Sequence, residues 1–433
     1  MRLLLSNLKF HMPDYAAAAM VAIAAVPALL FGAVEYWAMA ISGALVIVLF
    51  MSGVFSFSGN LSGKKLALVY ISAALVAYLL FQMLPLPVYI VSLLQPGMAY
   101  LAVAGPAPAF RSISVYPFET EVALARFIIY LMVFFTAALF MDALAVYRVL
   151  KGLSVFGFAL ALFAIVQHFT WNGRIYWVAS YPPGGSPFGP FVDRNHFAGF
   201  VNMIMPLSLA VSLASRELAK KALYAFFAVV MALAVVLSLS RGGVLSFIAG
   251  LAAFCAILII QNSPKWQYMV LALFSVILVS FVTYTGVSPL LSRFSAGHLT
   301  HGQRLLAWKG TLAAFRDFPV FGTGLGTFAS AFGPYQPAGL QKIWEHAHND
   351  FLELLLEGGL AGVLLGAVFV LAVLKTAFGQ RRGWHRRAAY LKAGFVASII
   401  TISVHSLADF NLHVPSNAIL LSLILGLAVA TSG

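Results

Sequence analysis

Apolar residues run almost unbroken through twelve stretches of this chain, at 16–33, 36–52, 66–84, 122–141, 149–169, 195–214, 220–238, 243–261, 266–285, 359–378, 389–408 and 415–431. Each is close to the roughly 20 residues that an α-helix needs to cross a bilayer core. The pattern predicts an all-α polytopic membrane protein built as one integral domain. Residues 88–104 are also apolar, but Pro85, Pro87, Pro96 and Pro106 punctuate them. Proline removes a helical hydrogen bond and clashes with the preceding turn, so this stretch reads as interfacial or re-entrant. No internal repeat is evident, which weighs against an inverted-repeat transporter.

The polar positions orient the bundle. Alternate gaps hold Lys64/Lys65, Arg148/Lys151, Arg216/Lys220/Lys221, Lys265 and the run Arg381, Arg382, Arg386, Arg387, Lys392. Basic short loops stay in the cytoplasm, so this register puts both termini inside. Met1–Tyr15, with Arg2 and Lys9, reads as a tail ahead of a retained first helix. The opposite face then receives 85–121, 170–194, the turn near Ser238–Gly243, the long loop 286–350 and Asp409–Pro415.

Composition sharpens the picture. The chain is 62% hydrophobic and 9% charged, with mean hydropathy +0.95, against roughly 25% charged residues in soluble domains. A soluble fold is excluded, and membrane lipids are the surroundings. The net charge of +13 lies mostly in the orienting loops, so no nucleic-acid partner is implied. Cys255 is the lone cysteine and lies inside a span, which precludes an internal disulfide. The remaining cations gather on the opposite face and need their own explanation.

Arg241 stands between Ser240 and Gly242-Gly243 at a helix start. It could merely snorkel, but guanidinium beside free N–H groups makes a phosphate clamp. Arg304 and Trp308 share a face of an amphipathic helix expected over Gly302–Arg316, as either an interfacial anchor or a second clamp. Arg194 lies in Asp193-Arg-Asn-His196 and could pair with Asp193 or touch substrate, with His196 beside it. Gly322, Gly324 and Gly326 suggest a turn that lets backbone approach a ligand closely. His346, His348 and Asn349 precede a helix opened by Asp350-Phe-Leu-Glu353 and interrupted by Gly358-Gly359. A histidine there suits a general base or a donor to an anion. Asp409 and His413, in the last outer loop, could complete the cluster. No metal site is expected, since His346 and His348 are two apart near a helix and lack an obvious carboxylate-rich partner set. No cofactor is expected either. Intramembrane acids are few, Glu35 and Glu357 among them, which counts against an ion-coupled carrier.

The ordered set Pro117-Phe-Glu-Thr120, Asp193-Arg-Asn-His-Phe-Ala-Gly199, Ser240-Arg-Gly-Gly243, Arg304-Leu-Leu-Ala-Trp308, Gly322-Thr-Gly-Leu-Gly326, His346-Ala-His-Asn-Asp350 and His405-Ser-Leu-Ala-Asp-Phe-Asn411 resembles the O-antigen ligase and polymerase superfamily. The likeness spans roughly 115–420 and rests on the order of the motifs more than on any one of them. It implies a bacterial inner-membrane glycosyltransferase of metal-independent GT-C type, with 286–350 as a periplasmic loop carrying part of the site. It also implies an undecaprenyl-pyrophosphate-linked glycan donor and either a glycan or a lipid A-core acceptor. Carried over residue by residue, the activity-associated positions are Arg241, Arg304 and His348. The expected substrate contacts are Arg194, His196, His346, Asn349, Trp308, Asp409 and His413. Asn195-His-Phe-Ala-Gly199 leans the likeness towards polymerase. A ligase, and more distantly a flippase that only docks the pyrophosphate, remain the alternatives.

Overall fold

The computed structural model describes residues 14–56, 59, 61–99, 109–182, 184–261, 298–340, 343–379 and 386–431. The helices among them are α1 (Asp14–Leu29), α2 (Tyr36–Ser56), α3 (Gly63–Met83), α4 (Val88–Leu94), α5 (Pro117–Phe140), α6 (Ala143–Phe169) and α7 (Arg194–Ala214). They continue with α8 (Leu218–Leu237), α9 (Arg241–Ile260), α10 (His298–Asp317), α11 (Phe328–Phe332), α12 (Asp350–Phe378), α13 (Arg386–His405) and α14 (Pro415–Ala430). Nine of these are long and apolar enough to cross a membrane, and α1 and α14 are shorter apolar helices. The architecture is that of an all-α polytopic membrane protein. Eleven predicted spans coincide with helices; the one at 266–285 lies outside the described residues, as do Lys265, Arg293, Lys342, Arg381 and Arg382. The proline-punctuated stretch forms α4, a 3-10 turn at Pro96–Ala99 and a short antiparallel pair, Leu86–Pro87 with Phe110–Arg111.

Helix α7 is the hub. Every residue from His196 to Ala214 is buried, and α13 and α8 pack along it while α13 also lines α9. Helices in an apolar solvent gain no hydrophobic drive from meeting, so close approach of small residues has to hold them. A methyl at Gly250 would fall 1.8 Å from Thr401 Oγ1, and one at Gly426 would fall 2.4 Å from the Phe134 carbonyl oxygen. Neither site admits a side chain without parting two helices.

Helix α12 breaks at Gly359, whose φ of 57° and ψ of −172° lie outside helical space. The glycine-rich segment after α10 repairs the break. Leu360 and Ala361 N–H donate to the Pro319 and Val320 carbonyls (2.9 and 3.0 Å), while Thr323 and Gly324 N–H donate to Leu356 and Glu357 (both 3.0 Å). Tyr78 Oη and Gln82 Nε2 of α3 donate to carbonyls of both segments. Gly322 has φ +68°, and a Cβ there would sit 2.3 Å from the Glu357 carbonyl oxygen. Gly322 and Gly324 bring backbone up to the broken helix and satisfy groups that an apolar setting would leave unpaired, while Gly326 lies against Glu119 and Ala123 of α5.

Candidate active site

Three helices begin at one end of the bundle. Asp193 caps α7 through Asn195 N–H (2.6 Å), Ser240 caps α9 through Gly243 N–H (3.1 Å), and Asn349 caps α12 through Phe351 and Leu352 N–H (both 3.1 Å). Each start leaves backbone donors and the positive end of a helix dipole. Ser240 Oγ donates to Asn195 Oδ1 at 2.7 Å, which ties the first two starts together. Arg194 and Arg241 are the first residues of these two helices. Leu239, just before, has φ 55°, a strained value for a branched residue. The third start is tied in by Asp350 N–H to the Ser406 carbonyl (3.0 Å) and by Asn349 Nδ2 to the Leu407 carbonyl (3.0 Å).

Two histidine systems grow from this frame. In one, Nδ1 of His348 lies 3.3 Å from Asp409 Oδ1, which also accepts the Phe410 N–H at 2.9 Å. Asp409 is 2% exposed, while the His348 side chain is 30% exposed. Burial alone would raise the Asp409 pKa, but the His348 hydrogen bond and the positive field of His196, Arg304 and His348 hold it well below the usual carboxylate range. An Arg304 Nη1 group donates to the carbonyl of Ala408, next to Asp409. Trp344 and Phe410 stand edge-on to the His348 ring, at 5.2 and 4.8 Å between centroids. His348 itself has φ 49°, so its orientation is imposed by these partners.

In the other system three acids of α12, Asp350, Glu353 and Glu357, project at spacings that share one helix face. Glu353 Oε1 is 2.7 Å from His346 Nδ1 and 3.2 Å from His413 Nε2, and its Oε2 accepts the Ala347 N–H at 2.8 Å. His413 Nδ1 is 2.9 Å from Asp350 Oδ1. Burial opposes a charge on His413, but Glu353 and Asp350, with Glu357 behind them, outweigh it and raise its pKa well above the ordinary imidazole value. The ring of His346 stacks on Phe410 at 4.2 Å. The expectation that the histidines lack a carboxylate-rich partner set is corrected. His346 and His348 do not share a partner, but His346 shares Glu353 with His413, and those three ligand atoms lie within 4.8 Å of one another.

The structure therefore joins Arg304, Trp308, His346, His348, Asn349, Asp409 and His413 by direct contact, with Trp308 Nε1 donating to the Ala347 carbonyl at 3.0 Å. His196 enters through its edge contact with Phe410 at 4.7 Å. Arg194 and Arg241 begin the two helices joined by the Asn195–Ser240 link, Arg194 lines a separate hollow with His168, Trp171, Tyr181 and Leu239, and Gly242 lies against His405. The sequence placed His405 and Phe410 in a motif but gave neither a role: His405 is 1% exposed with both ring nitrogens lacking hydrogen bonds, and Phe410 is the ring about which three histidines pack. From this end an apolar groove of about 400 Å³ runs between α3, α5, α12 and α14, reaching Asp350, Glu357 and His413.

Residues 226–367 match the family described as O-antigen ligase. That stretch includes Arg241, Arg304, Trp308, His346, His348 and Asn349 and stops short of Arg194, His196, Asp409 and His413. A solved structure concerned with structural coordination of polymerization and crosslinking by a peptidoglycan synthase complex aligns with 84% of this chain and 96% of its own, at 17% identity and a TM-score of 0.39. No curated protein matches.

Proposed function

We propose that this protein transfers a glycan from an undecaprenyl-pyrophosphate carrier to an acceptor hydroxyl, with inversion, at the periplasmic face of a bacterial inner membrane. The observation that carries the reading is the His348–Asp409 pair beside Arg304. A buried carboxylate on Nδ1 fixes the imidazole tautomer and leaves Nε2 on a partly exposed ring as the proton acceptor. The family match of residues 226–367 supports glycan transfer of the ligase or polymerase type in general.

The roles follow from charge development. His348 Nε2 takes the acceptor's hydroxyl proton, the oxygen attacks the anomeric carbon, and the carbon–oxygen bond to the pyrophosphate breaks with its electron pair on the leaving group. Asp409 stabilises the imidazolium that forms. Arg241 and Arg304, with the backbone donors at the starts of α7 and α9, meet the negative charge on the departing pyrophosphate, so positive charge at the reacting end comes from fixed side chains. Arg194, Asn349 and Trp308 frame that space. The polyprenyl tail lies in the apolar groove, which ends beside Asp350 and His413. The resemblance of Asn195-His-Phe-Ala-Gly199 to the polymerase branch favours a lipid-linked glycan as acceptor, which makes the enzyme a polymerase; lipid A-core is the competing acceptor.

The test is turnover of lipid-linked glycan by purified protein in nanodiscs, with further lipid-linked repeats in one arm and lipid A-core in the other. Arg241→Ala and Arg304→Ala should each lower kcat by about 10²- to 10³-fold, the cost of losing one group that stabilises developing charge. His348→Ala should cost about 10²- to 10⁴-fold. Normal turnover in all three variants would refute the site, and transbilayer movement of the glycan without transfer would replace the enzyme with a carrier.

A further inference from the structure

We propose that His346, Glu353 and His413, completed by Glu357, form a binding site for one divalent transition-metal ion, zinc fitting best. The site adjoins the transfer site across Phe410, takes no part in the transfer step, and braces the start of α12 against the turn at Asn411–His413. Two imidazole nitrogens and carboxylate oxygens are a donor set that suits zinc over the hard oxygen-seeking cations.

The geometry supports a closed tetrahedral site. Ligands about 2.1 Å from a tetrahedral zinc stand about 3.4 Å from one another. Glu353 Oε1 is 2.7 Å from His346 Nδ1 and 3.2 Å from His413 Nε2, and Glu357 Oε2 is 4.0 Å from His413 Nε2. The atoms of His346, Glu353 and His413 already lie within 4.8 Å of one another, and Glu357 is the more distant fourth, which has to turn towards the ion to complete the set. The outer partners are also in place. Asp350 Oδ1 lies 2.9 Å from His413 Nδ1, so a proton there leaves the Nε2 lone pair facing inward. This is the carboxylate–histidine–metal arrangement that orients ligating imidazoles. The Ala347 N–H holds Glu353 Oε2 and turns Oε1 towards the cluster.

A second, independent observation points to a cation. Glu357 is 1% exposed, its Oε1 accepts the Phe328 N–H at 2.9 Å, and its Oε2 has no hydrogen-bond partner. A buried carboxylate oxygen left unpaired is costly. A second proton on His413 would reconcile Nε2 with Glu353 but still leave Glu357 Oε2 without a donor, whereas a cation at the centre satisfies all four atoms. The side chains of His346 and His413 are 30% and 25% exposed, which gives the ion a route in.

The experiment needs no glycan, so its failure leaves the transfer reading standing. Full-length protein, freed of any histidine tag and purified without chelator, is assayed for bound metals by mass spectrometry and for its melting temperature. Both are repeated after EDTA and after adding back ZnCl₂ or MgCl₂. Zinc should be found at about one ion per chain, the stoichiometry of a closed structural site. EDTA should lower the melting temperature by several degrees and zinc, not magnesium, should restore it. Glu353→Gln and Glu357→Gln should lose the metal and the zinc response, while His168→Ala keeps both. Wild type that stays folded without metal and ignores added zinc would overturn the proposal, as would equal zinc in both glutamine variants. Should the variants fail to fold, the wild-type cycle of stripping and refilling decides alone.

Discussion

Replacing Asp409 by Asn tests the proposed mechanism at its most specific point. The substitution keeps the size of the side chain and a carbonyl for the Phe410 N–H, which Asp409 Oδ1 accepts at 2.9 Å. It removes the negative charge facing His348 Nδ1 across 3.3 Å. Two unit charges about 4 Å apart attract by about 4 kcal/mol at an effective dielectric constant of 20. Screening of the partly exposed His348 ring reduces this to roughly 2–4 kcal/mol. That much lost stabilisation of the imidazolium slows the step by about 30- to 1,000-fold. The amide can also turn its NH₂ towards Nδ1 and favour the tautomer that blocks Nε2, the route by which such a change disables a catalytic triad. The assay is kcat with saturating lipid-linked donor, alongside donor binding to the same preparation. The Asn variant should bind donor normally and turn over slowly. Its acid stability should also change. A carboxylate held below its usual pKa contributes stability that is present above about pH 4 and is lost as pH falls through its folded-state value. Wild type should therefore resist mild acid, and the Asn variant should lack that contribution throughout. Turnover within about threefold of wild type, with donor binding intact, is smaller than the working range of a base-orienting carboxylate and would refute the reasoning.

Two further outcomes follow from the frame and the groove. Gly359→Ala places a Cβ 2.4 Å from the Val320 carbonyl oxygen at a residue with φ +57°, so backbone must shift; a loss of roughly 3 kcal/mol or more is expected, read as a lower melting temperature. Gly366 lines the groove with nothing within 4 Å of a Cβ; Gly366→Trp should therefore fold, raise KM for a full-length polyprenyl donor, and leave a short-tailed analogue unaffected, whereas equal effects on both donors would place the tail elsewhere.

The spans were legible because burial in lipid demands long apolar runs, and those runs are hard to disguise in a sequence. The start of α12 was legible to within a residue: Asp350-Phe-Leu-Glu353 read as a capping box, but Asn349 is the cap and Glu353 takes the Ala347 N–H and His346 instead, while Gly358-Gly359 marked the break. The acids were harder. Asp350, Glu353 and Glu357 at spacings of three and four were the available signal for a single charged face, but Asp350 and Glu353 also fit a capping box, and that reading absorbed them. Their partner His413 lies 60 residues from Glu353 in sequence, and only tertiary packing brings it there. Gly322, Gly324 and Gly326 announced a close backbone approach without naming what is approached. Periodicity says which face a residue shares, while the identity of the opposing element is set by packing.

The arrangement of charge bears on whether this molecule performs a reaction or moves a lipid. A carrier for an anionic headgroup has to offer compensating charge along the whole route, because an unpaired charge deep in hydrocarbon is expensive. In the hub, α7 and α9 have their arginines at the site end, while α8 and α13 carry Lys220, Lys221, Arg387 and the buried Lys392 towards the other. Helix α7 carries no charged residue after Arg194, and α9 carries none after Arg241. The charged and histidine side chains lining the groove between α3, α5, α12 and α14 are Asp350, Glu357 and His413, which meet the site, and Arg126. That cation stands 5.9 Å from the Tyr36 ring, an aromatic partner that lowers the cost of holding it. A tail can slide into such a groove, but a pyrophosphate cannot follow it through. In the proposed mechanism, what this end provides instead is His348 oriented by Asp409, together with Arg304, Arg241 and the positive ends of helices. Such features suit the stabilisation of charge that changes during a reaction, and the proposed transfer gives the His348–Asp409 pair a use that docking an anion alone does not.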